Sequence, residues 1–191
     1  TIQMVTEQNE RLSKLVRTLL DMSELQTVAR NDRIELHSLI EEVLADLEPL
    51  AQEKKVELIR KSQEVREKAD EVLFLTGSDI LIYRMLYNLV ENAIKYNRKD
   101  GTVTVSAIRE KNEVVLTVSD TGNGIDEAFR EKIFEPFFRV DKSRSREFGG
   151  VGLGLAMVRE VVRVHDGTIE VYTNKHRGTT FEIRLPQSHW L

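Results

Sequence analysis

Two glycine-rich segments and one pair of asparagines carry the residue types that could hold a nucleotide. Residues 148–154 read Phe-Gly-Gly-Val-Gly-Leu-Gly, and residues 120–124 read Asp-Thr-Gly-Asn-Gly. Asn88 and Asn92 precede both segments. Glycine lets the backbone approach a ligand closely because it has no Cβ, and an asparagine oxygen is a hard donor that suits Mg²⁺. Together these residues predict a magnesium–nucleotide pocket with a mobile lid.

The commoner glycine-rich motifs do not fit residues 148–154. A P-loop needs Gly-Lys-Ser or Gly-Lys-Thr, and the chain contains neither. A dinucleotide-binding fingerprint needs a strand directly before the glycines, whereas residues 139–147 are polar and basic. Backbone N–H groups at the start of a following helix suit phosphate oxygens. A flexible surface turn is the alternative.

Asp120 follows a predicted strand, where its carboxylate can accept a hydrogen bond from the exocyclic amine of adenine. Guanine presents a carbonyl at that position, so the residue favours adenine. An ordinary strand-ending turn is the alternative, because Asp-x-Gly is common in turns.

Asn88 and Asn92 are spaced to share one face of a helix. Lys95 and Tyr96 follow one turn later, within reach of phosphates. The alternative is a pair of asparagines that only hydrogen-bond on an amphipathic helix.

Hydrophobic periodicity predicts an α+β fold, in which a mixed sheet is covered by helices on one face. The predicted helices cover residues 1–30, 38–54, 80–96, 127–133 and 153–165. The predicted strands cover residues 56–59, 71–75, 102–109, 114–119, 168–173 and 180–185.

The first predicted helix has a narrow apolar seam, because Val5, Leu12 and Leu19 are seven residues apart. Heptad spacing favours packing against another helix, between molecules or in a bundle. Folding back on its own domain is the alternative. The polar residues 30–33 indicate a linker.

Composition limits the classes of function. The chain has 191 residues, enough for one domain and a short appendage. Its net charge of -4 does not favour nucleic acid as a partner. Cysteine is absent, which excludes a thiol nucleophile and a thiolate zinc site. No apolar run approaches the length that spans a bilayer. Because the sequence starts at Thr1, we expect a piece of a longer protein.

Four segments, in order, resemble the sequence boxes of sensor histidine kinases. Residues 88–96 resemble the N box, 120–125 the G1 box, 134–139 the F box and 150–155 the G2 box. Residues 178–181, Gly-Thr-Thr-Phe, resemble the family's last small motif near the adenine.

The resemblance implies a Bergerat-type two-layer α/β sandwich over residues 38–187, which would bind ATP under a flexible lid. Residues 1–30 would be the second helix of the dimerisation and phosphoacceptor module, and 31–37 a linker. By resemblance, Asn92 would hold Mg²⁺. The catalytic residues would be Asn88, Lys95 and Arg139. The nucleotide would contact Asn92, Lys95, Tyr96, Asp120, Gly122, Gly124, Ile125, Gly150, Gly152, Leu153, Gly154 and Thr180.

The family's phosphoacceptor motif is a His followed by an acidic residue, with a Pro five residues after the His. This sequence lacks that motif. Among the histidines His37, His165, His176 and His189, only His165 precedes an acid, and residue 170 is Glu. A helix-capping role explains His165 better.

The implied reaction is therefore transfer of the γ-phosphoryl group of Mg·ATP to a histidine on a separate helix of a homodimer. A response regulator would receive the group next. The resemblance also implies the cytoplasmic portion of a membrane-anchored bacterial sensor, with its anchor elsewhere in the protein.

Two other functions stay open. An ATPase of the gyrase or MutL type shares this kind of fold, but it places Glu, a base for water, where Asn88 stands. A non-catalytic nucleotide-binding switch module is the second alternative.

Overall fold

The computed structural model describes residues 1–61, 72–139, 154–174 and 177–187. Its helices are α1 (Ile2–Glu24), α2 (Leu36–Lys54), α3 (Asp79–Lys95) and α4 (Gly154–Val164). Its strands are β1 (Asp32–Glu35), β2 (Glu57–Arg60), β3 (Phe74–Gly77), β4 (Thr102–Glu110), β5 (Glu113–Asp120), β6 (Thr168–Thr173) and β7 (Thr179–Pro186). Short 3₁₀ turns cover Leu25–Thr27, Glu127–Phe129 and Lys132–Phe134.

Five strands form a mixed sheet in the order β2-β4-β5-β7-β6. Strand β2 runs parallel to β4, and the other neighbouring pairs are antiparallel. Strands β1 and β3 form a separate antiparallel pair. The predicted α+β architecture, a mixed sheet against helices with a long N-terminal helix, is confirmed.

Alternation along the central strands decides which side chains meet the helix layer. In β5, Val114, Leu116 and Val118 belong to the hydrophobic core, and β7 contributes Phe181 and Ile183. Helix α3 is amphipathic and packs into the same core, with Leu86, Leu89 and Val90 at most 1% exposed. Asp120 lies on the same face of β5 as Val114, Leu116 and Val118. At the end of this strand, a polar residue therefore faces the core side of the sheet.

Several predicted boundaries were wrong. The predicted linker, residues 31–37, instead contains strand β1 and the start of α2. Glu35 caps α2, since its carboxylate accepts from the N–H groups of His37 (3.1 Å) and Ser38 (2.7 Å). The predicted helix at 127–133 is two 3₁₀ turns, and α1 ends at Glu24 rather than at residue 30.

The apolar seam of α1 stays exposed in the single chain, with Val5 60%, Leu12 58% and Leu19 43% accessible. The residues after the helix behave differently: Leu25 is buried, and Val28 packs against the domain core. Within the described ranges, no helix has both the length and the apolar character needed to cross a membrane.

Candidate nucleotide-binding site

Asp120 lies at the end of β5, the central strand of the sheet, and its orientation is fixed by the backbone. Its Oδ1 accepts hydrogen bonds from the N–H groups of Gly122 (2.9 Å) and Thr179 (3.2 Å). Within the described part of the chain, no hydrogen bond reaches Oδ2, which can therefore accept from a ligand. Burial raises the pKa of the Asp120 carboxyl above its ordinary value, and the two N–H donors partly oppose that shift.

Two glycines let the backbone close around Asp120. A Cβ on Gly122 would lie 2.5 Å from the carbonyl oxygen of Tyr96, the C-cap residue of α3. Gly178 has a φ of +116°, and a Cβ there would collide with the carbonyl oxygen of Asp120. The loop therefore fits between the end of α3 and the start of β7 only because both positions are glycine.

The rest of the predicted adenine-side loop is tied to β6. Gly124 and Ile125 are half-buried, and the carbonyl of Ile125 accepts a hydrogen bond from Oγ1 of Thr173 (2.9 Å). This contact holds the loop after Asp120 against the β6–β7 hairpin.

The polar face of α3 carries the predicted metal and phosphate residues. Asn88 donates from Nδ2 to the sulfur of Met157 (3.7 Å), a weak contact that points it towards α4. Asn92 is half-buried, and its side-chain amide makes no hydrogen bond to the described residues, so its oxygen is available to a ligand. Lys95 forms an ion pair with Glu91 (3.2 Å), and Tyr96 is 42% exposed.

Part of the predicted site falls outside the described residues, namely Gly150, Gly152 and Leu153. Gly154 begins α4 and has open space around it, since a Cβ there would meet nothing within 4 Å. Arg139 is half-buried at the end of a described segment.

Thr180 was predicted to bind nucleotide, but its register places it on the other face of the sheet from Asp120. It is paired with Ser119, and its hydroxyl binds Ser119 (2.8 Å) and Oδ1 of Asn174 (2.7 Å). Thr179 instead faces the helix layer beside Asp120 and is 4% exposed. The period-2 alternation of β7, with Phe181 inward, could have identified Thr179 from the sequence.

Two asparagines that the sequence analysis did not select organise the surroundings of Asp120. Asn174 donates from Nδ2 to the carbonyl of Asp120 (3.1 Å) from the β6–β7 hairpin. Asn97 follows the C-cap of α3 and donates to the carbonyl of Thr102 (2.9 Å). Neither carries a motif signal, because each binds a backbone carbonyl at a strand end that folding brings close to it.

Residues 134–139 form a packed aromatic cluster at one side of the domain. Phe134 is buried and meets Phe181 edge-on, with ring centroids 6.2 Å apart. Phe138 packs against Phe129 at 5.7 Å, while Phe137 remains 51% exposed. The segment is thus fastened to β7 through Phe134.

A mixed sheet is covered by one helix layer, and polar groups gather where its central strand ends, an arrangement that suits a polar ligand. The chain belongs to the histidine kinase-, DNA gyrase B- and HSP90-like ATPase family, whose profile matches residues 77–189. The resemblance to the ATP-binding domain of sensor histidine kinases is thereby confirmed.

Curated relatives and solved structures agree with this assignment. The sensor-like histidine kinase SenX3 of Mycobacterium tuberculosis is 36% identical over 179 residues, which cover 92% of this chain and 42% of SenX3. This chain thus spans less than half of that relative. The catalytic domain of the histidine kinase ThkA has a TM-score of 0.71 at 26% identity, covering 83% of this chain and 97% of that domain. ThkA in complex with the response regulator TrrA gives 0.74 at 25% identity, covering 98% of this chain and 50% of ThkA.

Proposed function

We propose that this chain is the catalytic, ATP-binding portion of a protein-histidine kinase. It binds Mg·ATP, and the γ-phosphoryl group is transferred to a histidine carried on a separate helix, then onward to a response regulator. Family membership supports the nucleotide, and the reaction is our inference.

The observation that carries the proposal is the fixed carboxyl group of Asp120. Two backbone N–H groups hold Oδ1, so Oδ2 has a defined direction before any ligand binds. An acceptor suits the exocyclic amine of adenine, while the carbonyl of guanine would repel it. Burial strengthens the hydrogen bond, because little water competes for it.

The residues also fit Mg²⁺ that arrives together with ATP. Asn92 supplies one amide oxygen, and phosphate oxygens and waters supply the remaining ligands that Mg²⁺ prefers. The described residues include no group of three or more His, Cys, Asp or Glu placed to hold a metal. Bound beside Asn92, Mg²⁺ would neutralise phosphate charge.

Phosphoryl transfer depends on positioning and charge compensation rather than on covalent chemistry by the protein. In our proposal Asp120 orients the adenine base, and Asn92 holds the metal-bound end of the nucleotide. Lys95 exchanges its partner Glu91 for a phosphate oxygen. Asn88, held towards α4, and Arg139 act at the phosphate end, where the histidine of the separate helix attacks.

An ATPase of the gyrase or MutL type is less well supported. Water attack needs a general base, and Asn88 has no basic group. Glu91, a carboxylate on the same helix, lies three residues away from the position that Asn88 occupies and does not replace that base.

Partners are inferred from relatives and from α1. The solved complex of ThkA with TrrA supports a response regulator as partner. The exposed seam of α1 supports a homodimer through a helical bundle. The cytoplasmic placement within a membrane-anchored sensor stays a prediction.

Nucleotide selectivity tests the binding half of the proposal. Calorimetric titration of the chain with Mg·ATP and Mg·GTP should show clear preference for Mg·ATP. Equal affinity for the two nucleotides would contradict the role of Asp120.

Phosphotransfer tests the catalytic half. The chain alone should take up no acid-labile phosphate from labelled ATP, and a separately supplied helical module carrying the His-acid motif should become labelled. Stable phosphohistidine on this chain, or no labelling of any such module tested, would count against the proposed reaction.

A further inference from the structure

Asn97 closes a hydrogen-bonded ring that joins three parts of the site. Its Nδ2 donates to the carbonyl of Thr102 (2.9 Å), the first residue of β4. The N–H of Thr102 donates to Oγ1 of Thr121 (2.9 Å), and that hydroxyl donates to Oδ1 of Asn97 (3.1 Å). We call Asn97, Thr102 and Thr121 the Asn97 clasp.

Neighbouring residues satisfy the hydrogen-bonding groups of the clasp and leave space for it. Oδ1 of Asn97 also accepts from the N–H of Arg98 (2.9 Å), so the amide is satisfied at both ends. Gly101 makes room for the ring, since a Cβ there would collide with Oδ1 of Asn97 and lie 2.7 Å from Oγ1 of Thr121. A satisfied polar ring of this kind fixes one geometry.

The clasp lies between the two ends of the proposed site. Asn97 follows Tyr96, the C-cap residue of α3, and its own N–H bonds to the carbonyl of Ile94 (3.3 Å). Helix α3 carries Asn92 and Lys95. Thr121 directly follows Asp120 in the sequence. The ring therefore connects the proposed metal and phosphate end to the proposed adenine end.

Each end also has its own attachment to the fold. Asp120 is held from β7 and the β6–β7 hairpin by the N–H of Thr179 (3.2 Å) and by Nδ2 of Asn174 (3.1 Å). Helix α3 is held by core residues such as Leu89 and Val90, both fully buried. Loss of the side-chain bonds of the clasp would leave both ends in place, and the N–H of Thr121 would still bond to the carbonyl of Thr102 (3.2 Å), but the end of α3 would no longer be hydrogen-bonded to Thr102 and Thr121.

We propose that Asn97 is a positioning residue that sets the separation between the adenine end and the metal end of the proposed nucleotide site. This inference rests on the proposed function, because it assigns the two ends as that function does. A ligand that spans both ends depends on the clasp, whereas a ligand that uses only the adenine end does not.

The test compares adenosine with Mg·ADP on the full chain. In Asn97→Ala and Thr121→Val, affinity for Mg·ADP should fall about tenfold, the equivalent of one to two ordinary hydrogen bonds. Affinity for adenosine should stay within about twofold, since Asp120 keeps its attachments. Calorimetry measures Mg·ADP, and chemical-shift titration measures adenosine.

Two further variants separate positioning from general stability. Thr121→Ser keeps the hydroxyl and should restore Mg·ADP binding close to that of the unchanged chain. Ser106→Ala removes a hydroxyl contact with Thr117 between the same two strands, away from the clasp and on the sheet face that does not meet the helix layer, and should leave both affinities unchanged. Thermal melts identify any variant that fails to fold. If Asn97→Ala does not fold, the comparison of the two ligands is made with Thr121→Val.

The outcomes are distinct. Equal weakening of both ligands, or no weakening of Mg·ADP, would overturn the role of Asn97 while leaving the proposed function intact. Failure of the unchanged chain to bind either ligand would overturn the proposed function, and this inference with it.

Discussion

The N–H of Ser78 donates a 3.0 Å hydrogen bond to Nε2 of His165, which joins the N-cap of α3 to the end of α4. Nδ1 of His165 meets the carbonyl of Val161 at 2.7 Å, so the neutral ring carries its proton on Nδ1. Burial lowers the pKa of His165, and the nearby charge of Arg30 lowers it further. The Val161 carbonyl and the charge of Asp166 act in the opposite direction.

Acid should therefore destabilise the fold through His165. The unfolded chain takes up a proton near the ordinary pKa of 6.5, whereas the folded chain resists protonation to a lower pH. The free energy of unfolding should thus fall as pH drops from about 7 to about 5. Denaturant unfolding at several pH values measures this slope.

His165→Gln should flatten that slope and lower stability at pH 7.5 by about 1–2 kcal/mol, because a buried contact is lost. His37→Gln is the matched control on α2 and should keep the slope of the unchanged chain. A full slope in His165→Gln would show that another group is responsible.

Asp120→Asn should separate binding from folding. An asparagine oxygen can still accept from Gly122 and Thr179, so the melting temperature should not fall. The Nδ2 group would oppose the adenine amine, and affinity for Mg·ATP should drop about 10- to 100-fold. Among the described residues, the carboxylate of Asp126 accepts from the Ala128 N–H in the next turn and from no other group, so Asp126→Asn should leave affinity unchanged. Retained affinity in Asp120→Asn would refute the assigned role.

Gly178→Ala should be among the most damaging single changes in the chain. The positive φ and the collision with the Asp120 carbonyl both oppose a Cβ, so we expect a loss of at least about 2 kcal/mol of stability. Gly154→Ala, in open space at the start of α4, should be neutral or stabilising by about 0.5 kcal/mol. Urea unfolding compares the two, and similar stabilities would contradict the close packing of Gly178 against Asp120.

Neighbouring threonines should have opposite effects. Thr179→Val removes a hydroxyl that makes no hydrogen bond to the described residues and lies beside Asp120, so it should weaken nucleotide binding several-fold without unfolding the domain. Thr180→Val breaks the contacts with Ser119 and Asn174, and should cost about 1 kcal/mol of stability with affinity retained. The reverse pattern in calorimetry and melting would restore Thr180 as the binding residue.

Sequence reasoning predicted the long amphipathic elements because their periodicity is local. Helix α3 and strands β4 and β5 were located to within one or two residues. Strand β1 was missed because Asp32–Glu35 is short and polar, and it becomes a strand only by pairing with β3. The two 3₁₀ turns were predicted as one helix, since their apolar spacing is similar over so few residues.

The candidate site was predictable where a side chain itself does chemistry. Asp120 and Asn92 were selected by residue type and spacing. Each has an acceptor oxygen that no hydrogen bond from the described residues occupies, so a ligand can use it. Asn97 and Asn174 were missed because they bind backbone carbonyls at the ends of other strands, and such contacts depend on how distant segments meet. A motif indicates a position, while only the strand register decides the face, and the register places Thr180 on the face of the sheet away from Asp120.

The place of β5 at the centre of the sheet has a consequence for evolution. A residue at the end of a strand with a neighbour on each side cannot loosen without disturbing both, so the surroundings of Asp120 are pre-organised at the expense of adaptability. A mutation that changes ligand preference there must also preserve the stability of the whole sheet. Variation in selectivity is therefore expected to accumulate at the α3 end, where side chains can change without rebuilding a strand.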